Sequence, residues 1–135
     1  MSVLISPRRR WVGRIISGLA VLFLTFDSFI KFTTVAPVTD SFVRLGFPVS
    51  IAPVIGTIEL ICLATYVFSG TSILGAILLT GYLGGAIVTH LRVGDPLFSH
   101  TVFPMYVAAL IWGGLYLRDA RLRILVSRRA FAALA

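Results

Sequence analysis

Cysteine is almost missing from this chain. Cys62 is the only one, which excludes an intrachain disulfide, a CxxC redox pair and a cysteine metal cluster; one thiol in an apolar stretch reads as a small hydrophobe within a helix. Acidic residues are scarce too, five against twelve basic ones, for a formal net charge of +7. Nucleic acid would be one reason for such a balance. The basic residues, however, gather at the two chain ends instead of along one face, which suits a membrane surface and argues against a nucleic-acid partner. Also missing are GxxxxGK[ST], a GxGxxG after a strand, HExxH and a nucleophile–base pairing of a soluble cleft, so no autonomous catalytic motif is present. A cleaved leader is not expected either. The first apolar run after Arg8, Arg9 and Arg10 outlasts the roughly 7–15 residues of a signal-peptide core and lacks an A-x-A site.

What the chain does have is apolar length. Hydrophobic residues make up 58% of its 135 residues and the mean hydropathy is +0.99. A water-soluble domain this small could not hide so much apolar surface, whereas a bilayer removes the need to hide it. Four continuous runs, about 11–32, 51–68, 72–89 and 102–117, approach the roughly 17–25 residues needed to cross the hydrocarbon, the fourth being the shortest. None alternates as a barrel strand would. The expected fold is all-α, an integral membrane bundle of four transmembrane helices in a single domain, 1–135. Between the first two runs, Phe42, Leu45 and Phe47 among Asp40 and Arg44 predict a short interfacial helix, opened near Pro37 and ended by Gly46-Phe47-Pro48.

Nine of the twelve basic residues flank the bundle: Arg8, Arg9, Arg10 and Arg14 before the first run, Arg118, Arg121, Arg123, Arg128 and Arg129 after the last. An even number of spans puts both groups on one side. The positive-inside rule makes that side cytoplasmic, which predicts a multi-pass protein of the bacterial inner membrane with both termini inside. The tail, 118–135, reads either as an amphipathic helix on anionic lipid or as a frayed segment whose arginines only set topology.

Ionisable residues inside a span cost about 2.5–3.5 kcal/mol at its centre, so each needs a reason to be there. Asp27 and Lys31 stand one turn apart in the first run, at ion-pairing distance. Glu59 in the second shares a face with Ile55, Gly56, Cys62 and Tyr66 and should point into the bundle. Counting along the helices, Asp27 and Glu59 lie roughly 8 and 12 Å from the outer ends of their spans. In the third run Tyr82, Ala86, Thr89 and His90 share a face, and Gly81 and Gly85, reinforced by Gly84, form a small-xxx-small pattern expected to admit a neighbouring backbone. Arg92, Asp95 and His100 follow at the outer mouth, around the turn signal Gly94-Asp95-Pro96. The candidate ligand-binding cluster is therefore Asp27, Lys31, Glu59, Tyr82, His90, Arg92, Asp95 and His100, with no metal assigned, since two histidines ten residues apart lack a ligand-spacing signature.

The same residues carry a family resemblance. Phe26-Asp27-Ser28 followed by Lys31, Gly56-Thr57-Ile58-Glu59-Leu60, the run TGYLGGAIVTHLRVGDPLFSH and the later WGGLYLRD resemble the DoxX-like family of small bacterial four-helix membrane proteins over about 12–119. That family is named for a subunit associated with thiosulfate:quinone oxidoreductase activity. The resemblance thus implies a quinone- or lipid-binding, redox-associated membrane subunit, without a catalytic role for any residue. Two further readings stay open: a structural or assembly partner whose polar residues only specify packing, and a proton or ion path. With no flavin motif and no cysteine pair, quinone is the one cofactor class considered, and it would have to arrive as a ligand. The bilayer is the expected partner, with a redox partner protein or a second copy left open.

Overall fold

The computed structural model describes residues 5–127; Arg128 and Arg129 of the basic tail lie outside them. Helix α1, Pro7–Ile30, begins where Ser6 supplies an N-cap oxygen to the Arg9 amide and Pro7 takes the first helical position. It is followed by α2 (Ala36–Arg44), α3 (Ala52–Val67), α4 (Ser72–Arg92), α5 (Phe103–Arg118) and α6 (Ala120–Val126). A 3₁₀ turn over Val49–Ile51 leads into α3, and a π-helical turn over Leu97–Thr101 leads into α5. No strand occurs among the described residues.

Four segments are long and apolar enough to cross a membrane: Pro7–Ile30, Val49–Val67, Ser72–Arg92 and Leu97–Arg118. Only 28–33% of each is buried within the bundle, so most of the apolar surface points outward, as lipid allows and water does not. Exposed side chains such as Leu22, Phe26 and Phe68, each more than 60% accessible, follow from that. Two boundaries differ from the sequence reading by more than three residues. The first helix starts earlier because its cap and proline lie upstream of the arginines that interrupt the apolar run. The fourth segment starts at Leu97 because the π-helical turn carries helical pairing through Ser99 and His100.

The helices meet along narrow stripes. In α1 the buried residues are Gly13, Ser17, Ala20, Leu24 and Ser28, steps of three and four that draw one line along a helix. This stripe packs most extensively on α5, while α3 packs on α4 and on α1. Contact is closest where glycine removes the side chain. A Cβ on Gly13 would sit 2.8 Å from the Gly114 carbonyl, one on Gly114 2.7 Å from the Ser17 amide, and one on Gly75 2.2 Å from the Tyr66 amide. Gly56 is similarly closed, 2.9 Å from the Ser28 carbonyl.

The predicted packing glycines do not take part. Around Gly81, Gly84 and Gly85 a Cβ would meet nothing within 4 Å, and at Gly81 and Gly85 a cavity separates α4 from the neighbouring helices. Helix α2 lies across the end of the bundle opposite the chain termini. Its Val38 and Phe42 are buried with Ala52 against Ile30, Phe47 and Ile55. Gly46 takes φ +74° to turn the chain out of α2, a conformation glycine adopts without steric cost. Helix α6 turns back over the terminal end, burying Leu122 in the main core.

Candidate functional site

Three helices bring the intramembrane ionisable residues together. Lys31 is the C-cap of α1, and its Nζ donates to Asp27 Oδ2, to the Asp27 carbonyl at 3.1 Å and to Glu59 Oε2 at 2.9 Å. From α4, the Tyr82 hydroxyl donates to the same Glu59 Oε2 at 2.9 Å. The side chain of Lys31 is 12% exposed, that of Glu59 0% and that of Asp27 41%. Glu59 is thus held from two sides and fully enclosed, while Asp27 keeps one face open. Two carboxylates share one ammonium, which makes the group a net hydrogen-bond acceptor. Glu59 Oε1 and Ser28 Oγ are enclosed without a hydrogen-bond partner among the described residues.

A second cluster forms at the rim. Asp95, in the turn after α4, pairs with His90 Nδ1 at 2.5 Å and with the Arg44 guanidinium of α2. His90 first, and then Arg44, hold the Asp95 carboxyl below the usual carboxylate range. The His100 ring stands 6.1 Å from that of His90, edge to face, with its Nδ1 2.8 Å from Ser99 Oγ. Arg44 therefore ties α2 to the α4–α5 connection.

Between and beneath these clusters lies a cavity of about 730 Å³. Asp27, Lys31, Tyr82, Arg44, His90 and His100 line its polar side. The rest of the wall is mainly apolar, with Phe23, Phe26, Ile58, Phe103 and Val107 prominent. α2 covers part of it through Val38 and Phe42. An apolar chamber with a few converging polar groups is the usual make-up of a small-molecule site.

Of the residues expected from sequence, Asp27, Lys31, Glu59 and Tyr82 form one network, and His90, Asp95 and His100 meet in the other. Arg92 joins neither. It reaches back to α2, donating to the Leu45 carbonyl with its guanidinium over the Phe47 ring at 5.9 Å. Sequence reasoning missed Arg44 as a site residue, because a charge in a connecting segment looks like ordinary solvated surface. The signal available was its place in the last turn of an amphipathic helix.

A family model described as the DoxX-like family matches residues 15–114. That range covers most of the chain and every residue of both clusters, and the chain belongs to the DoxX-like family. No curated protein and no solved structure matches it.

Proposed function

We propose that this DoxX-like protein is a small-amphiphile-binding subunit of the bacterial inner membrane, and that a quinone- or lipid-like molecule occupies the cavity beneath α2. The supporting observation is the chamber itself: about 730 Å³, apolar on most walls and ionised on one side. An amphiphile's tail would lie among Phe23, Phe26 and Phe103, where burial is favourable by roughly 25 cal/mol per Å². Its head would meet Asp27, the carboxylate with an open face, while Lys31 and Tyr82 keep Glu59 fixed behind. A head group that donates a hydrogen bond to Asp27 and accepts one from Arg44 or a rim histidine fits the polarity of both clusters. With the arginine-rich termini on the cytoplasmic side, the chamber would open in the outer half of the bilayer.

Thermal unfolding of the purified protein tests this reading. A short-chain quinone, its quinol or a lysolipid should raise the melting temperature, and Ala86→Phe, which fills the cavity from α4, should remove the rise. No shift with any of the three compounds, and none copurifying, would sink the proposal.

A second reading is favoured by one observation: Glu59, a fully enclosed carboxyl group, does not itself line the cavity. In that reading the network fixes the register of α1, α3 and α4, as buried ion pairs do in some proteins. Glu59→Gln would then preserve function, and Ala86→Phe would have no effect on it.

A further inference from the structure

At the opposite end of the bundle, a smaller cleft of about 210 Å³ is lined by Arg10 and Arg14 of α1, Ser69 of the α3–α4 turn, and Arg118 and Asp119 at the α5–α6 junction. Its charge is unbalanced. Asp119 is its one carboxylate, and Arg121 already occupies it, donating to Oδ2 at 2.7 Å and to Oδ1 at 3.2 Å. Among the described residues, no carboxylate lies within ion-pairing distance of Arg10, Arg14 or Arg118.

Arg118 is also held in place. Its Nε donates to Ser17 Oγ at 3.0 Å and its guanidinium lies 5.1 Å over the Tyr66 ring. Ser17 and Tyr66 are bonded to each other at 2.9 Å, and Tyr66 donates onward to the Ile111 carbonyl. No hydrogen bond among the described residues uses the Nη groups of Arg118. A guanidinium fixed through its Nε and its face, with its terminal donors uncommitted, is pre-organised for an anion and loses little entropy on binding.

We infer that this cleft binds a phosphate group, supplied by the headgroup of an anionic lipid. Arginine forks match phosphate oxygens. The cleft sits at the end of four membrane-crossing segments, the level at which lipid phosphates lie. Its volume suits a headgroup phosphate and not an acyl chain. The chain would run down the outward apolar face of α1, which Trp11 opens at 63% exposure beside the Arg14 guanidinium. The cleft shares no lining residue with the cavity beneath α2.

The test is native mass spectrometry of the full chain in neutral detergent, equilibrated with phosphatidylglycerol or phosphatidylcholine, with inorganic phosphate as a third arm in a thermal-shift measurement. Phosphatidylglycerol should be retained about tenfold better than phosphatidylcholine, and Arg10→Gln/Arg14→Gln should remove most of that preference. Both arginines are exposed, so the variant is expected to fold. The control Arg8→Gln/Arg123→Gln removes equal charge from the same end without touching the cleft, and should keep the preference. Stabilisation by inorganic phosphate that Arg10→Gln/Arg14→Gln abolishes, without lipid selectivity, would support the phosphate chemistry and assign it to a soluble anion. Equal retention of both lipids with no effect of phosphate, or an equal loss in the control variant, would overturn the inference.

Discussion

The two ends of the bundle hold their helices by different means. At the end carrying the termini, shape does most of the work. Gly13 against Gly114 and Gly75 against Tyr66 let backbones touch, and the polar groups there form a neutral relay, Ser17 to Tyr66 to the Ile111 carbonyl, joined by Arg118. At the other end charge is added to shape: Gly56 still lies against the Ser28 carbonyl, but ion pairs now join the helices. Lys31 between two carboxylates, and Asp95 between His90 and Arg44, span a chamber that no side chain fills. In a bilayer there is little hydrophobic drive for one helix to prefer another over lipid, so close packing and polar contacts must supply the preference. This protein relies mainly on close packing at one end and adds charged contacts at the other. The open end can therefore leave volume for a ligand without coming apart.

The largest expected effect tests the charged end. Lys31→Met leaves Glu59 enclosed beside Asp27 without its cation, and thermal unfolding should show a loss of about 3–5 kcal/mol. Lys31→Met/Glu59→Leu should recover most of it; a double variant as weak as the single would mean that the charges are not what holds this end. Next comes a paired test of shape. Gly75→Val drives two methyl groups into the Tyr66 backbone and should cost about 3 kcal/mol, whereas Gly85→Val, facing open space, should change stability by less than about 1 kcal/mol. Similar losses at both positions would erase the distinction between the ends.

The smallest effect concerns pH. Because the pKa of Asp95 is lowered in the folded state, its tie to Arg44 and His90 is whole above the ordinary carboxylate value of about 4 and is lost as pH falls through the lowered one. Hydrogen exchange in α2 should therefore rise only on going well below about pH 4, and Asp95→Asn should make it high and flat across that window. Exchange in α6 should show the same sign through Asp119, whose carboxyl Arg121 holds below the usual range.

These contrasts show which parts of the structure were legible from sequence. The spans were, because a long apolar run has few other meanings. The Asp27–Lys31 pair was legible as well, from its one-turn spacing, and so was the need of Glu59 to face the bundle, but that Lys31 and Tyr82 both reach Glu59 depends on how the helices pack. The glycines were not. Gly81 and Gly85 have the spacing of a packing motif, but spacing alone does not say which face of α4 meets a neighbour. The contacts fell instead to Gly13, Gly56, Gly75 and Gly114, at positions set by the tertiary arrangement. Arg44 was hidden for a similar reason: 51 residues separate it from Asp95, and only the placement of α2 across the bundle joins them.

The preference of α1 for α5 also bears on how the protein is made. The stripe from Gly13 to Ser28 finds its main partner in the last span, and Ser17 lies 101 residues ahead of Arg118. At a synthesis rate of about 5–20 residues per second, the first helix waits roughly 5–20 s for the helix that completes it. It can wait because its backbone is satisfied internally in lipid. During that interval Gly13 and Ser17 lack the cover that Gly114 later provides, and that part of the α1 face stays open to lipid or to any neighbouring protein. A ribosome stalled before Phe103 should thus display α1 in a form that site-specific crosslinking from Ser17 can capture, and release of the full chain should erase the crosslink.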